Sequence, residues 1–253
     1  MLLLECAGIP GSGKSTITAK LKAWLDASTI PFVDLADFMR VEGARSRAAV
    51  PRLNGKLDIG NKDTDILLKS FRYFFLEEPE YTLRYLHALL ELESSRDVRD
   101  LVLSSFNYAC AQRGFFKARQ ERVCAVVAIH EEGLVHRLFT LFGYRIGDAR
   151  DEPVLEELAE KTPCPEFLIW TRCSPDVALR RLENRERKTP ERLLGVGQQK
   201  AADLLGRADR KLETAARILE RRGTRVAEVR TDEHFDEGGL FDSLFGDRSL
   251  SGC

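Results

Sequence analysis

A run of ten residues near the start of the chain combines residue types that bind phosphate. In AGIPGSGKST (7–16), the residues Gly8, Gly13, Lys14 and Ser15 fit the pattern G-x-x-x-x-G-K-[ST]. Glycines let successive backbone N–H groups turn inward, and such a nest at the start of a helix attracts anions. The lysine can reach the β- and γ-phosphates of a nucleotide, and the serine hydroxyl can bind Mg²⁺. The stretch therefore predicts a site for a nucleoside triphosphate and Mg²⁺; we expect ATP as the cofactor, with the preference between ATP and GTP left open.

The sequence around this loop has the pattern of a strand before it and a helix after it. The apolar run 2–7 is typical of a buried parallel strand, and Ile17, Leu21 and Leu25 form one stripe of a helix. We expect the nucleotide to contact nine residues, which are Gly8, Pro10, Gly11, Ser12, Gly13, Lys14, Ser15, Thr16 and Arg181.

Three stretches together resemble a known group of proteins: this loop, HEEG (130–133) and CSPDVALRRLENRER (173–187). Their order resembles that of the P-loop NTPase superfamily and, more narrowly, of the nucleoside and nucleotide kinases that include thymidylate kinases. Seven residues are similar to the pattern P-E-x-A-L-x-R-(I/L)-x-x-R of thymidylate-kinase-like proteins, namely Pro175, Asp176, Ala178, Leu179, Arg181, Leu182 and Arg185. The resemblance implies an ATP-dependent phosphoryl transfer and catalytic roles for Lys14, Asp37, Glu131, Arg181 and Arg185.

In such kinases the third stretch opens a lid of arginines over the phosphates. Arg181 and Arg185 are four residues apart, which places them on one face of a helix that Ser174 would cap. Planar guanidinium groups bridge phosphate oxygens well. The alternative is a solvated helix whose arginines pair with Glu183 and Glu186.

The resemblance also implies a metal site at Ser15 and Glu131, because such enzymes hold the hydration shell of Mg²⁺ where a late strand ends in acid. The usual pair there is Asp-Arg, whereas this chain has Glu131 and Glu132, and a shift of one residue between these two stays open. Arg137 follows, either facing the transferred phosphate or lying on the surface. We interpret His130 and His136 as packing residues.

On the acceptor side, IPFVDLADF (30–38) has the pattern of a second strand that ends in acid. Many small-molecule kinases have a carboxylate there that takes the proton of the acceptor hydroxyl. Asp37 lies nearer the expected strand end than Asp34, so we assign this role to Asp37, with a loop cap as the alternative. The arginines that follow either bind an anionic acceptor or are solvated; they are Arg40, Arg45, Arg47 and Arg52.

The whole chain alternates strand and helix patterns, which predicts an α/β fold of the P-loop kinase type. We expect three layers, with a parallel five-stranded sheet, helices on both faces and a helical insertion. The prediction is a single domain over 1–253. Within it, 41–62 is a flexible loop on the acceptor side, 64–119 a helical insertion divided at Pro79, and 174–195 the lid region. The aromatic stretch 70–75 fits a core stripe better than a platform for stacking a base.

Composition narrows the classes of function only slightly. Lys and Arg total 39 against 40 for Asp and Glu, so the net charge of -1 favours neither nucleic acid nor a membrane as partner. The six cysteines form no metal-type spacing, and no targeting segment is evident, which predicts a cytoplasmic protein. The oligomeric state stays open, a homodimer included.

We therefore expect a kinase whose partner is a small-molecule acceptor, above all a nucleoside, a nucleotide or a similar compound. Two alternatives are a kinase that acts on a base or sugar within a polymer and a regulatory NTPase that only hydrolyses nucleotide. The stretches NKDTD (61–65) and LGVGQ (194–198) match the motifs of switch and transporter NTPases poorly and lie at the wrong places in the chain.

Overall fold

The computed structural model describes residues 1–48, 59–91, 96–142, 151–184, 193 and 196–245. In chain order the elements are β1 (Leu2–Gly8), α1 (Lys14–Ala27), β2 (Phe32–Asp34), α2 (Leu35–Ala48), α3 (Ile59–Glu77), α4 (Pro79–Leu90), α5 (Arg96–Lys117), β3 (Val127–His130), α6 (Leu134–Phe142), α7 (Asp151–Lys161), β4 (Phe167–Arg172), α8 (Pro175–Glu183), α9 (Gln198–Arg221), β5 (Arg225–Arg230) and α10 (Glu237–Phe245). None of the helices in this part of the chain is long and apolar enough to span a bilayer.

The five strands form one parallel sheet in the order β2-β3-β1-β4-β5. Strand β1 lies at the centre and all seven of its residues are buried, as its apolar sequence predicts. In the register, Glu5 is opposite His130 of β3, and Gly8 is opposite Thr171 of β4. The carboxyl ends of β1, β3 and β4 therefore meet at one edge, where α/β proteins bind their ligands.

Helices cover both faces of the sheet. On one face, Ile17, Leu21 and Leu25 of α1 pack with α10 on the alternate residues Leu2 and Leu4 of β1. On the other face, α6, α8 and α9 pack on residues of β1 and β4 that point the opposite way. The predicted three-layer α/β fold, a parallel five-stranded sheet with helices on both faces, is confirmed.

The three helices α3, α4 and α5 form a block with a core of its own. Tyr85 and Phe106 stack there with ring centroids 3.7 Å apart, and Tyr81 packs beside them. Phe74 of the stretch 70–75 is buried in this core, which agrees with the core interpretation of that stretch. Pro79 begins α4 directly after α3 ends, because proline suits the first turn of a helix and disrupts its interior.

Two local predictions were wrong. Strand β2 ends at Asp34 and not near residue 38, because the Asp34 carboxylate accepts the backbone N–H groups of Ala36 and Asp37 and so starts α2. The segment 41–62 is not a loop throughout, since α2 continues to Ala48 and α3 begins at Ile59. The helical block thus begins before residue 64, and 49–58 lie outside the described residues.

Candidate nucleotide-binding site

The loop between β1 and α1 has the backbone of a phosphate cradle. Gly11 and Gly13 have φ angles of 83° and 88°, which glycine adopts at little cost and other residues avoid. A Cβ atom at Gly8 would lie 2.3 Å from Thr171 Oγ1, and one at Gly11 would lie 2.5 Å from the carbonyl oxygen of Ala178. There is thus no room for a side chain at Gly8 or Gly11, because the loop backbone packs directly against β4 and α8.

Hydroxyl groups from two other strand ends hold this loop. The Ser12 hydroxyl is hydrogen-bonded to Thr171 Oγ1 at 2.8 Å, and Thr171 Oγ1 donates to the Ala7 carbonyl at 3.2 Å. Thr231, directly after β5, donates to the Ser12 carbonyl at 2.8 Å. The loop conformation is therefore fixed by β4 and β5 as well as by its own glycines.

Lys14 lies inside the loop and is only 8% exposed. Its ammonium donates to the carbonyls of Gly8 at 2.8 Å and Ile9 at 3.3 Å. Its charge also lowers the pKa values of Glu132 and His136, so the ammonium lies within electrostatic range of the turn between β3 and α6. Lys14 and the acidic turn are therefore close enough for their charges to interact.

The acidic turn itself carries a compact set of charges. Arg137 Nη2 donates to the carbonyl of Glu132 at 2.8 Å and to its carboxylate at 3.1 Å. The charges of His136, Arg137 and Lys14 lower the pKa of Glu132 to about 2. Burial, followed by Lys14 and Arg137, lowers the pKa of His136 well below its usual range. At neutral pH, Glu132 is an anion beside a neutral imidazole and a guanidinium.

Glu131 is half-buried and directly follows β3. Burial and the charge of Glu131 raise the pKa of the Cys6 thiol to about 12. Burial lowers the pKa of Lys22, but Asp34 and, more weakly, Glu131 and Asp37 raise it above its ordinary value. Both predicted acids, Glu131 and Asp37, therefore lie within electrostatic range of α1.

The oxygen donors that the sequence assigns to the metal suit Mg²⁺, which prefers hydroxyl, carboxylate and phosphate oxygens. Ser15 is exposed in the first turn of α1, and Glu131 is half-buried. Within the described ranges, no group of three or more His, Cys, Asp or Glu residues could hold a metal unaided. A magnesium ion at Ser15 and Glu131 would therefore need phosphate oxygens of a nucleotide to complete its ligands.

Asp34 and Asp37 lie on the β3 side of the sheet, two strands from β1. Asp34 is engaged by the start of α2 and by Lys22, whose ammonium is 2.7 Å away. The Asp37 side chain is 63% exposed and pairs with Arg40 at 3.1 Å. The side chains of Arg45 and Arg47, and the whole of Arg52, lie outside the described residues. A role for Asp37 in the reaction stays a prediction.

The side chain of Arg181 in α8 contacts the loop at a backbone carbonyl. Nη1 donates to the carbonyl of Gly11 at 3.3 Å and to Thr231 Oγ1 at 2.7 Å, while Nη2 donates to the Thr231 carbonyl at 2.7 Å. Ser174 caps α8 by accepting the N–H of Val177 at 3.4 Å, as the sequence predicts. Arg185 and most of 185–195 lie outside the described residues.

Sequence reasoning missed three residues that hold this site. Thr171 and Thr231 had no signal, because a hydroxyl at a strand end is common and its partner is known only after folding. Glu5 did have a signal, as the one charged residue in the apolar stretch LLLECA. It is completely buried next to the acidic turn.

The chain was compared with known proteins. No protein-family model and no curated protein matches it. Among solved structures, it is similar to deoxyadenosine kinase from M. mycoides with bound dCTP (11% identity, 96% of both chains, TM-score 0.43). It is also similar to the same enzyme with bound dATP (12% identity, 96% of this chain and 97% of that chain, TM-score 0.45). A third similar structure is shikimate kinase from Bacteroides thetaiotaomicron (17% identity, 96% of this chain and 93% of that chain, TM-score 0.37).

Proposed function

We propose that this protein is an ATP-dependent kinase that transfers the γ-phosphoryl group to a small-molecule acceptor, such as a nucleoside, a nucleotide or a similar compound. One observation carries the proposal. The Lys14 ammonium lies within a glycine cradle with two left-handed residues and within electrostatic range of an acidic turn at the next strand end. Phosphoryl transfer needs this combination, since it depends on positioning and on stabilising the charge of the phosphates.

The residues of the chain divide the work as follows. The loop N–H groups and Lys14 bind the phosphates, and Lys14 leaves its carbonyl partners to stabilise the transferred group. Ser15 and Glu131 would hold Mg²⁺, which supplies charge neutralisation between the phosphates when it is bound. Asp37 orients the acceptor hydroxyl or receives its proton. We assign Arg181 and Arg185 to the phosphates, as the lid prediction has it; for this role Arg181 would leave the carbonyls of Gly11 and Thr231.

Of the two acidic residues in the turn, Glu131 is the better candidate for the carboxylate that binds the metal. The Glu132 carboxylate is already engaged by Arg137 at 3.1 Å. Glu131 has no ion pair among the described residues, and its charge acts on Cys6 and Lys22, which flank the loop. Glu131 is therefore the carboxylate that can turn to a metal or to its bound water.

The test is a screen of the purified protein with ATP and Mg²⁺ against nucleosides, nucleoside monophosphates, sugars and antibiotics. Both ATP consumption and phosphorylated product are measured. We expect product with one class of acceptor. Consumption without any product would indicate a hydrolysing NTPase, and product only with an oligonucleotide or a glycan would indicate a polymer kinase.

The first prediction uses the same assay on Lys14→Ala. Loss of the ammonium should lower the turnover about 10²–10³-fold, because one stabilising group of this kind is worth about 3–4 kcal/mol. Lys20→Ala is the matched control, since Lys20 is on the same helix but pairs with Glu237 at the surface. Near-normal turnover of Lys14→Ala would contradict the proposed function.

A further inference from the structure

The strand that leads into the phosphate loop contains a completely buried carboxylate. Glu5 is on β1, three residues before Gly8, and its side chain is 0% exposed. Its Oε2 accepts the backbone N–H of Val135 at 3.0 Å, and its Oε1 accepts Arg113 Nη1 at 2.9 Å. His130 Nδ1 is 3.7 Å from Oε1. Glu5 thus joins β1 to the start of α6 and to α5.

A buried charge is costly unless it is paired and hydrogen-bonded. Burial raises the pKa of Glu5, but the imidazole of His130, the charge of Arg113 and the N–H of Val135 outweigh burial, and the pKa lies below its ordinary value. Each carboxylate oxygen has its own donor. The surroundings of Glu5 are therefore built for the ionised form.

The acidic turn packs directly against this carboxylate. A Cβ atom at Gly133 would lie 2.3 Å from Glu5 Cδ and 2.4 Å from Oε2. Gly133 follows Glu131 and Glu132, and Val135, which donates to Glu5, comes two residues later. The Glu5 carboxylate therefore packs against the turn at Gly133 and accepts a hydrogen bond from the backbone at Val135, directly after the turn.

We propose that Glu5 is a positioning residue, which fixes the turn 131–133 relative to the phosphate loop so that Glu131 and Lys14 act on the same nucleotide. This inference rests on the proposed function. Strand β1 ends in the loop that holds Lys14, and the carboxylate ties that strand to the turn that carries Glu131. Arg113 neutralises the buried charge and extends the connection to the helical block.

The central variant is Glu5→Gln, which has nearly the same shape. A carboxylate offers two acceptor oxygens, whereas the amide offers one, so either Arg113 or Val135 loses its partner. Glu166→Gln is the matched control, because Glu166 Oε2 also accepts a backbone N–H, that of Leu3 at 2.8 Å, at the opposite end of β1. In Glu166→Gln the single amide oxygen is enough to accept the Leu3 N–H.

The readout is the Mg²⁺ concentration for half-maximal turnover, measured at a temperature where circular dichroism shows each variant folded. We expect it to rise at least about tenfold in Glu5→Gln, as is typical when a group that orients a metal ligand is lost. It should stay unchanged in Glu166→Gln. A purely structural role would lower the melting temperature of Glu5→Gln and leave the Mg²⁺ dependence as in the wild type, which would overturn the proposal.

Two further measurements keep the proposal testable whatever the outcome of the kinase assay. Hydrogen exchange of the Val135 amide should accelerate in Glu5→Gln and not in Glu166→Gln, which requires no turnover. If the wild type shows neither turnover nor nucleotide binding, the proposed function fails, and this exchange still decides whether Glu5 holds the turn.

Gly133→Ala serves if Glu5→Gln does not fold. Its Cβ would displace the turn from an intact Glu5, so the same rise in Mg²⁺ requirement is expected. Adding Gly133→Ala to Glu5→Ala should raise the Mg²⁺ requirement less than adding Gly133→Ala to the wild type does, because the obstructing carboxylate is gone. Strictly additive effects of the two substitutions would contradict the contact and with it the proposal.

Discussion

At the scale of single residues, the site depends on acids and bases in contrasting environments. Asp34 and Glu132 are held by Lys22 and Arg137. Asp37 is exposed, and its partner Arg40 is exposed as well. An exposed ion pair is worth little, so Asp37 can exchange Arg40 for a substrate group at small cost.

The second prediction separates the roles of the two proposed catalytic acids. Glu131→Gln should reduce Mg²⁺-dependent turnover with every acceptor and slow background hydrolysis, because the metal site is weakened. Asp37→Asn should reduce transfer to the true acceptor and leave nucleotide binding and background hydrolysis nearly unchanged. Steady-state rates with and without acceptor measure both effects.

Glu132→Gln is the control for charge at the turn. If it reduces Mg²⁺-dependent turnover more than Glu131→Gln does, the metal acid is Glu132. If Asp37→Asn transfers phosphate at the wild-type rate, positioning alone drives the reaction and no base is needed.

The third prediction concerns pH and follows from His136. Its folded-state pKa lies well below the ordinary value of about 6.5, so the unfolded chain binds a proton that the folded chain does not. His136 therefore leaves the free energy of unfolding unchanged above pH 6.5. As the pH falls below 6.5, the free energy of unfolding decreases by up to about 1.4 kcal/mol per pH unit.

Urea unfolding at pH 7.5 and pH 5.5 measures this loss. The wild type should lose more free energy of unfolding than His136→Gln over this interval, whereas His87→Gln, which changes an exposed histidine on α4, should behave as the wild type. An equal loss in the wild type and His136→Gln would show that His136 is not the source.

At the scale of elements, the phosphate loop is held by the segments packed around it. Arg181 of α8 and Thr231 after β5 bind each other and the carbonyls of Gly11 and Ser12. The Ser174 N–H also donates to the carboxylate of Asp232 at 2.7 Å. The start of α8 and the end of β5 thus form one support behind the loop.

The fourth prediction compares two glycines with positive φ. Gly11→Ala meets the Ala178 carbonyl at 2.5 Å, whereas a Cβ at Gly223 has no atom within 4 Å. Gly223→Ala should lower the free energy of unfolding by about 1–2 kcal/mol, the cost of the left-handed backbone. Gly11→Ala should add about 1–3 kcal/mol of steric cost and weaken nucleotide binding.

Thermal unfolding and nucleotide titration of the two variants check this comparison. Equal losses of stability in both variants would mean that the loop can move away from α8 without cost. Normal nucleotide affinity in Gly11→Ala would contradict the rigid cradle.

At the scale of the whole molecule, the helical block and the sheet are joined by a continuous core. The cluster around Tyr85 and Phe106 of the block includes Leu138 of α6, Leu158 of α7 and Ile218 of α9. The buried pair of Glu5 and Arg113 links α5 to β1. We propose that the chain folds as one domain.

The fifth prediction is that sheet and block unfold together. Trp24 of α1 stacks on Phe245 of α10, and Trp170 lies in β4, so tryptophan fluorescence reports on the sheet layers. Far-ultraviolet circular dichroism reports on all helices, those of the block included. The two melting curves should coincide. An earlier loss of helix signal would instead identify the block as a separate unit.

The sequence by itself determined the phosphate loop and the sheet. Gly8, Gly13 and Lys14 carry their information locally, since a nest and its lysine lie within a single turn of the chain. The buried strands β1, β3 and β4 were predicted because parallel strands that are covered on both faces have nearly continuous apolar sequences. The α/β fold class follows from the alternation of such runs with helical patterns.

Only the tertiary structure decided which other residues hold that loop. The partners of Glu5 are 108 and 130 positions away in the sequence, and those of Ser12 are 159 and 219 positions away. No local pattern records such contacts. Asp34 shows the same limit at short range: the sequence supplied two aspartates, but only the structure shows that Asp34 accepts the N–H groups of Ala36 and Asp37 and so ends the strand. The phosphate loop could be predicted from the sequence because its residues are neighbours along the chain. The residues that hold the loop could not, because they become its neighbours only when the chain packs.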